Sequence, residues 1–143
     1  MNKWLKIFIW LIIIGIIGAG LGYKFIYNKP HKDYEKASVD FTLSGFELFS
    51  EYKNSNQSAN QKYNGKVIEI SGIVNSIDRP ESMTIAVFTL EEGVFGDEGI
   101  RCTMLPNYAE NLSSYLGKKI KIKGYCTGYN ETDVIFEKCS IVE

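Results

Sequence analysis

Lys119, Lys121 and Lys123 recur at every second position, and Tyr125 and Tyr129 follow within six residues. On an extended strand this spacing puts the three ammonium groups on one face. A row of cations beside aromatic rings suits single-stranded nucleic acid, because the cations displace counterions from phosphates and the rings stack on bases. The same row is also what a solvent-facing strand carries to keep foreign strand edges away. These five residues are the candidate ligand-binding set, and both readings stand open on the sequence alone.

Other reactive residues are sparse. The three cysteines, Cys102, Cys126 and Cys139, make no CxxC pair, so neither a zinc site nor a thioredoxin-type dithiol is indicated. Cys126 and Cys139 flank the last expected hairpin. They could bridge across it in an oxidising compartment; elsewhere they are small buried hydrophobes. Glu91 and Glu92 precede the Gly93–Gly99 stretch and Asp97 and Glu98 lie within it, together making an acidic loop, either a set of oxygen donors for Ca²⁺ or a solvated hairpin tip. The single histidine, His31, lies in a polar linker. With no histidine to serve a Ser or Cys nucleophile and no glycine-rich phosphate loop, the expectation is a chain that is not an enzyme, with no catalytic residues, metal or cofactor.

These side chains need elements to position them. After Gly65 the hydrophobic period is two. Lys66 to Val74 alternates, with Ile68, Ile70, Gly72 and Val74 sharing a face. Ser82 to Leu90 and Ile100 to Leu105 are further β-rich runs. Pro106 to Leu116 reads as a helical insert, opened by Pro106 and closed by Gly117. Lys118 to Cys126 alternates again, and Val134 to Val142 is the last strand. Three strands, a helix and two strands is the order of an OB fold, a five-stranded Greek-key barrel. Gly72 and Gly124 sit mid-strand on the inward face, where a small barrel bends sharply. Other small barrels and an open β-sandwich are the alternatives.

Ahead of the barrel, Val39 to Lys62 reads as helical with a break at Asn54-Ser55-Asn56. Ser44 and Glu47 have capping-box spacing, and Phe46, Leu48, Phe49 and Tyr52 make an apolar face. The expected fold class is therefore mainly β. A five-stranded OB-fold-like barrel (65–143), with a helix between strands three and four, follows a helical segment, and together they form a domain over 39–143.

The first residues are of another kind. No charged residue occurs between Ile7 and Tyr23, and residues 4–27 are long enough to span a bilayer if Lys6 and Lys24 snorkel. Trp4, Trp10, Tyr23 and Tyr27 lie towards the ends, where amphipathic rings favour the headgroup region. A cleaved signal peptide is the competing reading, because Gly18-Ala19-Gly20-Leu21-Gly22 follows the apolar run. Gly18 and Gly22 form a GxxxG step that could bring two helices together as a homodimer. A linker, 28–38, contains Asn28-Lys29-Pro30-His31. Lysines flank the span almost evenly, so the positive-inside rule is nearly balanced. The domain is expected outside the cytoplasm because an N-terminal anchor followed by a single acidic domain is commonly exported. From Ala37 onward ten basic residues stand against fifteen acidic ones, so the domain carries about −5.

The run Tyr63-Asn64-Gly65-Lys66-Val67-Ile68-Glu69-Ile70-Ser71-Gly72-Ile73-Val74 resembles the opening of the tRNA_anti-like family of bacterial membrane-anchored OB-fold proteins. So does Gly117-Lys118-Lys119-Ile120-Lys121-Ile122-Lys123-Gly124-Tyr125-Cys126-Thr127-Gly128-Tyr129 with the Cys139 strand, and the anchor and linker are similar too. The resemblance implies an OB fold and a membrane anchor, and it implies no ligand. The resulting expectation is a membrane-anchored binding module for a protein or small ligand at the cell envelope. The alternative is a single-stranded nucleic-acid-binding domain at the cytoplasmic face, which the acidic charge of the domain disfavours.

Overall fold

The computed structural model describes residues 2–27 and 33–142, so residues 28–32 of the linker 28–38 read from the sequence lie outside the described residues. The chain divides into two units, one holding the N-terminal helix and a second beginning at Asp33.

Uninterrupted apolar sequence makes the first unit. Helix α1 (Lys3–Tyr27) has 25 residues and buries none of them within the protein. At 1.5 Å per residue it is about 38 Å long, more than the hydrocarbon thickness of a bilayer. By length and composition it is able to cross a membrane, a property that a signal sequence near the N-terminus shares. Gly18 and Gly22 lie one turn apart with open space where a Cβ would be.

In the second unit, the expected helical segment begins as a strand. β1 (Phe41–Ser44) pairs in parallel with β2 (Val67–Ile73), Phe41 opposite Ile68. Asp40 clamps the start: its backbone N–H donates to the Val67 carbonyl at 2.8 Å, and its carboxylate accepts from the Val67 N–H at 2.9 Å. Ser44 then caps helix α2 (Gly45–Asn54). The Glu47 N–H donates to Ser44 Oγ at 3.1 Å and the Ser44 N–H donates to the Glu47 carboxylate at 3.0 Å, the reciprocal pair read from the sequence. Helix α3 (Asn56–Tyr63) follows at once. The buried side chains of these helices, Leu48, Phe49, Tyr52, Ala59 and Tyr63, join Ile68, Ile70, Phe88, Ile100, Ile122 and Phe136 in one core.

Five more strands complete the sheet: β3 (Ser76–Asp78), β4 (Ile85–Gly93), β5 (Gly96–Met104), β6 (Lys119–Tyr129) and β7 (Asp133–Val142). Their order is β1-β2-β6-β7-β5-β4-β3, antiparallel except for β1 with β2 and β5 with β7. The expected five-stranded barrel is corrected on two counts: among the described residues seven strands are present, and their hydrogen-bonded ladder is not closed. The first expected strand is two. At Val74 and Asn75 the chain changes partners, the Val74 N–H donating to Lys118 and the Asn75 N–H to Val87. Consequently β2 pairs with β6 and β3 with β4, and one stretch of backbone serves two distant places in the order. The turn comes just after Gly72, where a Cβ would stand 2.9 Å from the Phe88 ring. Gly124 likewise faces inward, its missing Cβ 2.6 Å from the Cys139 sulfur.

The expected insert is present in shorter pieces, helix α4 (Pro106–Ala109) with Pro106 in its first turn and a 3₁₀ turn (Leu112–Tyr115). Leu112 is fully buried beneath it. Arg79, from the connection between β3 and β4, ties down this end by donating to the Ala109 carbonyl and the Ser113 hydroxyl.

The expected acidic loop is a paired hairpin. Glu91 stands opposite Glu98 and Glu92 opposite Asp97, so only Val94 and Phe95 form the turn between Gly93 and Gly96. Lys53 on α2 bridges the first pair at 3.0 and 2.8 Å. The hydrogen bond to Glu98 is the chief reason its ammonium is held above the ordinary lysine pKa.

Candidate functional site

Strand β6 places the lysines as its alternation requires. Ile122, Gly124 and Cys126 point into the core, and Lys119, Lys121, Lys123 and Tyr125 lie on the outer face opposite Ile73, Ser71, Glu69 and Val67 of β2. The side chains differ in what remains available. Lys119 is exposed and makes no ion pair among the described residues. Lys121 is 4.0 Å from Glu69, with 61% of its side chain exposed. Lys123 donates to the carbonyl oxygens of Glu35 and Ala37, the latter at 3.1 Å.

Those carbonyls belong to a strap. Residues 34–37 lie over the outer face of β6 and β7, where the Tyr34 ring packs on Tyr125 at 5.1 Å and Lys138 stands 4.9 Å from its face. The Glu35 carboxylate accepts from the Tyr108 hydroxyl at 2.6 Å, which fastens the strap to α4. Lys123 and Tyr125 are therefore occupied by the protein's own chain. Three sequence-distant segments, 34–37, β6 and α4, meet here.

Tyr129 does not join the row. The β6–β7 register slips by one residue between Cys126 and Gly128, so Tyr129 pairs with Val134 on the core side. A one-residue bulge reverses the face of every side chain beyond it. Its ring packs 5.6 Å from Tyr52 and 6.4 Å from Phe49, and burial raises its hydroxyl pKa. The expectation that it shares a stacking platform with Tyr125 is corrected by that bulge.

The same register sets the positions of the cysteines. Cys126 stands opposite Phe136, three residues short of Cys139, and Cys139 pairs with Met104 of β5 instead. All three cysteines are free and fully buried. Cys126 Sγ lies 3.3 Å from the Tyr52 hydroxyl, which also donates to Asn64 at 2.6 Å. Burial raises the Cys126 thiol and, more strongly, the Cys139 thiol. They are core side chains.

Beside the strap opens a cleft of about 620 Å³, lined by Glu35, Asn107, Tyr108, Asn111, Tyr115 and Lys123 and floored by Ser140, Ile141 and Val142 of β7. Its size falls within the range of small-ligand sites, and its mixture of amides, phenols, one cation and an apolar floor can hydrogen-bond a polar ligand while covering an apolar one. A second, more apolar cleft of about 390 Å³ adjoins it, sharing Tyr115, Ile141 and Val142 and rimmed by Lys119 and Lys121. Of the sequence-read residues the structure thus brings Lys119, Lys121 and Lys123 to two clefts, covers Tyr125 and turns Tyr129 away. Asn107, Tyr108, Asn111 and Tyr115 were missed. Their signal was the spacing of four between Asn107 and Asn111 on the insert, which read only as helical. Among the described residues no group of three His, Cys, Asp or Glu is placed to hold a metal ion.

A family model described as tRNA_anti-like matches residues 1–141. Among solved structures, a protein of Klebsiella pneumoniae subsp. pneumoniae MGH 78578, proposed to be a nucleic acid-binding lipoprotein, superposes with a TM-score of 0.56 at 14% identity, over 80% of this chain and 100% of that one. Yeast Stn1 and Ten1 give a TM-score of 0.41 at 13% identity, over 78% of this chain and 66% of that one. No curated protein matches the chain.

Proposed function

The chain belongs to the tRNA_anti-like family, and from that premise we propose a membrane-anchored OB-type binding module that holds a protein or small ligand in the cleft beside α4. The observation that carries this reading is the cleft itself. It is a mixed polar and apolar cavity of about 620 Å³ at the junction of strap, β6, β7 and insert, joined to an apolar neighbour. Helix α1 serves as the anchor, and the domain lies outside the cytoplasm, in keeping with the lipoprotein description of its Klebsiella structural neighbour.

Nucleic acid is the second reading, drawn from that neighbour's description. Several observations weigh against it. The domain carries about −5, Lys123 is spent on carbonyls, Tyr125 is covered and Tyr129 faces the core. Two exposed lysines release few counterions. The barrel face that OB folds commonly use, on the strands here numbered β4 and β5, presents Arg101 already paired with Asp78 at 2.7 Å and Asp133 at 3.4 Å.

The test combines topology with binding. Reporters active only inside or only outside the cytoplasm are fused after the last residue, and the full chain in nanodiscs is titrated with a fluorescent 15-mer of deoxythymidine. External activity with weak oligonucleotide binding, unchanged by Lys119→Ala and Lys121→Ala, is expected. Cytoplasmic activity with tight binding that loses its salt dependence in those variants overturns the proposal in favour of nucleic acid.

A further inference from the structure

The β4–β5 hairpin ends in two apolar side chains that nothing covers, Val94 at 92% and Phe95 at 95% exposure. Behind them stand two cross-strand pairs of like charge. Carboxylates directly opposite each other repel, so each pair weakens the hairpin unless a cation intervenes. Lys53 intervenes for Glu91 and Glu98. Nothing does so for Glu92 and Asp97, which lie on the other face and make no ion pair among the described residues. The tip is thus an aromatic wedge with an uncompensated acidic collar. It suits an apolar recess with a basic rim and is poorly suited to an anionic lipid surface.

The same chain contains such a recess. The cleft of about 390 Å³ has Ile120, Ile141, Val142 and the Tyr115 ring as its lining and Lys119 and Lys121 on its rim. It has room for a phenyl ring and an isopropyl group. Neither lysine is otherwise strongly engaged, Lys121 reaching Glu69 only at 4.0 Å. We propose that the Val94–Phe95 tip of one copy docks into the Lys119/Lys121 cleft of a second copy, with Glu92 and Asp97 meeting the two lysines. Wedge and recess are different surfaces, so the contact is heterologous, with each copy able to give and receive. Copies held in one membrane meet at a raised effective concentration, which lets a small contact of this kind be populated. The docking cleft shares Tyr115, Ile141 and Val142 with the cleft beside α4, and the inference rests on the anchoring proposed above but not on what that cleft holds, so either can fail alone.

The test uses the full-length chain in its membrane. Phe95 is exchanged for the photoreactive analogue p-benzoylphenylalanine in one tagged copy, and a second copy carries a different tag. Irradiation is expected to give an adduct of two chains, joined to a peptide containing Tyr115 to Lys121 or Ile141 to Val142. Adding Glu92→Lys and Asp97→Lys to the photoreactive copy should lower its yield at least fivefold. Placing Lys119→Glu and Lys121→Glu in the partner copy should restore it to within about twofold. All four charged side chains are exposed, and the near-ultraviolet circular dichroism of the tyrosines confirms that each variant folds. Adducts to lipid, to another protein or to a different region of the second copy overturn the proposal, as does a yield that the charge exchange fails to restore. A yield that falls only with Gly18→Leu and Gly22→Leu, whatever the charges at the tip, assigns the association to the helices and overturns it equally.

Discussion

Replacing Gly124 by alanine should destabilise the domain, and replacing Cys139 as well should restore part of the loss. An alanine Cβ at position 124 would stand 2.6 Å from Cys139 Sγ, 3.2 Å from the Phe136 ring and 3.3 Å from the Glu137 carbonyl oxygen. The sulfur contact falls roughly 1 Å short of ordinary packing. Cys139 is fully buried and has no open side to move towards. Forcing one methyl into such a core costs about 2–3 kcal/mol, and the lower entropy of the unfolded alanine chain offsets about 0.4–1 kcal/mol of that. The net expectation for Gly124→Ala is a loss of about 1–2.5 kcal/mol. Cys139→Ala alone should cost about 1 kcal/mol for the atom it removes. Together the methyl occupies the space the sulfur leaves, so the double variant should be about 1–2 kcal/mol more stable than the sum of the two. Phe136 and Glu137 still crowd the site, which keeps the rescue partial. Trp4 and Trp10, the two tryptophans of the chain, both lie in α1, so tryptophan fluorescence reports on the wrong unit. The urea midpoint is therefore followed by tyrosine near-ultraviolet circular dichroism. Losses that add to within about 0.5 kcal/mol would mean that the two atoms do not compete for the same space, refuting the packing argument.

Three further outcomes follow from the geometry. Tyr52→Phe removes the donor to Asn64 and the partner of Cys126 from a buried position, and should cost about 1–2 kcal/mol in the same assay, with an unchanged midpoint refuting it. Ser44→Ala removes the acceptor of the capping box and should cost about 1 kcal/mol, whereas Ser44→Asp, which keeps an acceptor, should stay within a few tenths of the parent. Stability should decline as pH rises through the range where an exposed thiol ionises: burial holds the Cys126 and Cys139 thiols protonated to higher pH than in the unfolded chain, so the unfolded chain loses those protons first and gains stability from doing so. Urea midpoints measured from pH 7 to 10 check this, and the decline should shrink in Cys126→Ala.

Much of the architecture can be read from local pattern. The apolar run from Ile7 to Tyr23 admits a long helix whatever follows it. Ser44 with Glu47 specifies a helix start, because the cap is made by residues three apart. The alternation from Lys119 to Tyr125 specifies which side chains face out, because a strand has a period of two. Pro106 marks the insert for the same local reason, having no N–H to donate.

Other features are decided only when distant segments meet. β1 is a strand because Asp40 and Phe41–Ser44 find the edge of β2, and the capping role of its last residue, Ser44, hid this. The first barrel strand divides in two because β6 and β4 claim different stretches of it. Tyr129 leaves the lysine row through a register slip against β7, and such a slip belongs to the pair of strands and leaves no mark on either alone. Lys123 and Tyr125 keep their predicted face and lose their predicted availability, since the strap that covers them lies 86 or more residues earlier in the chain. Residue type and local spacing settle which side chains can face outward and which segments can enter a helix or a membrane. Which outward side chains stay open is settled by long-range contacts, because it depends on what the rest of the chain lays over them.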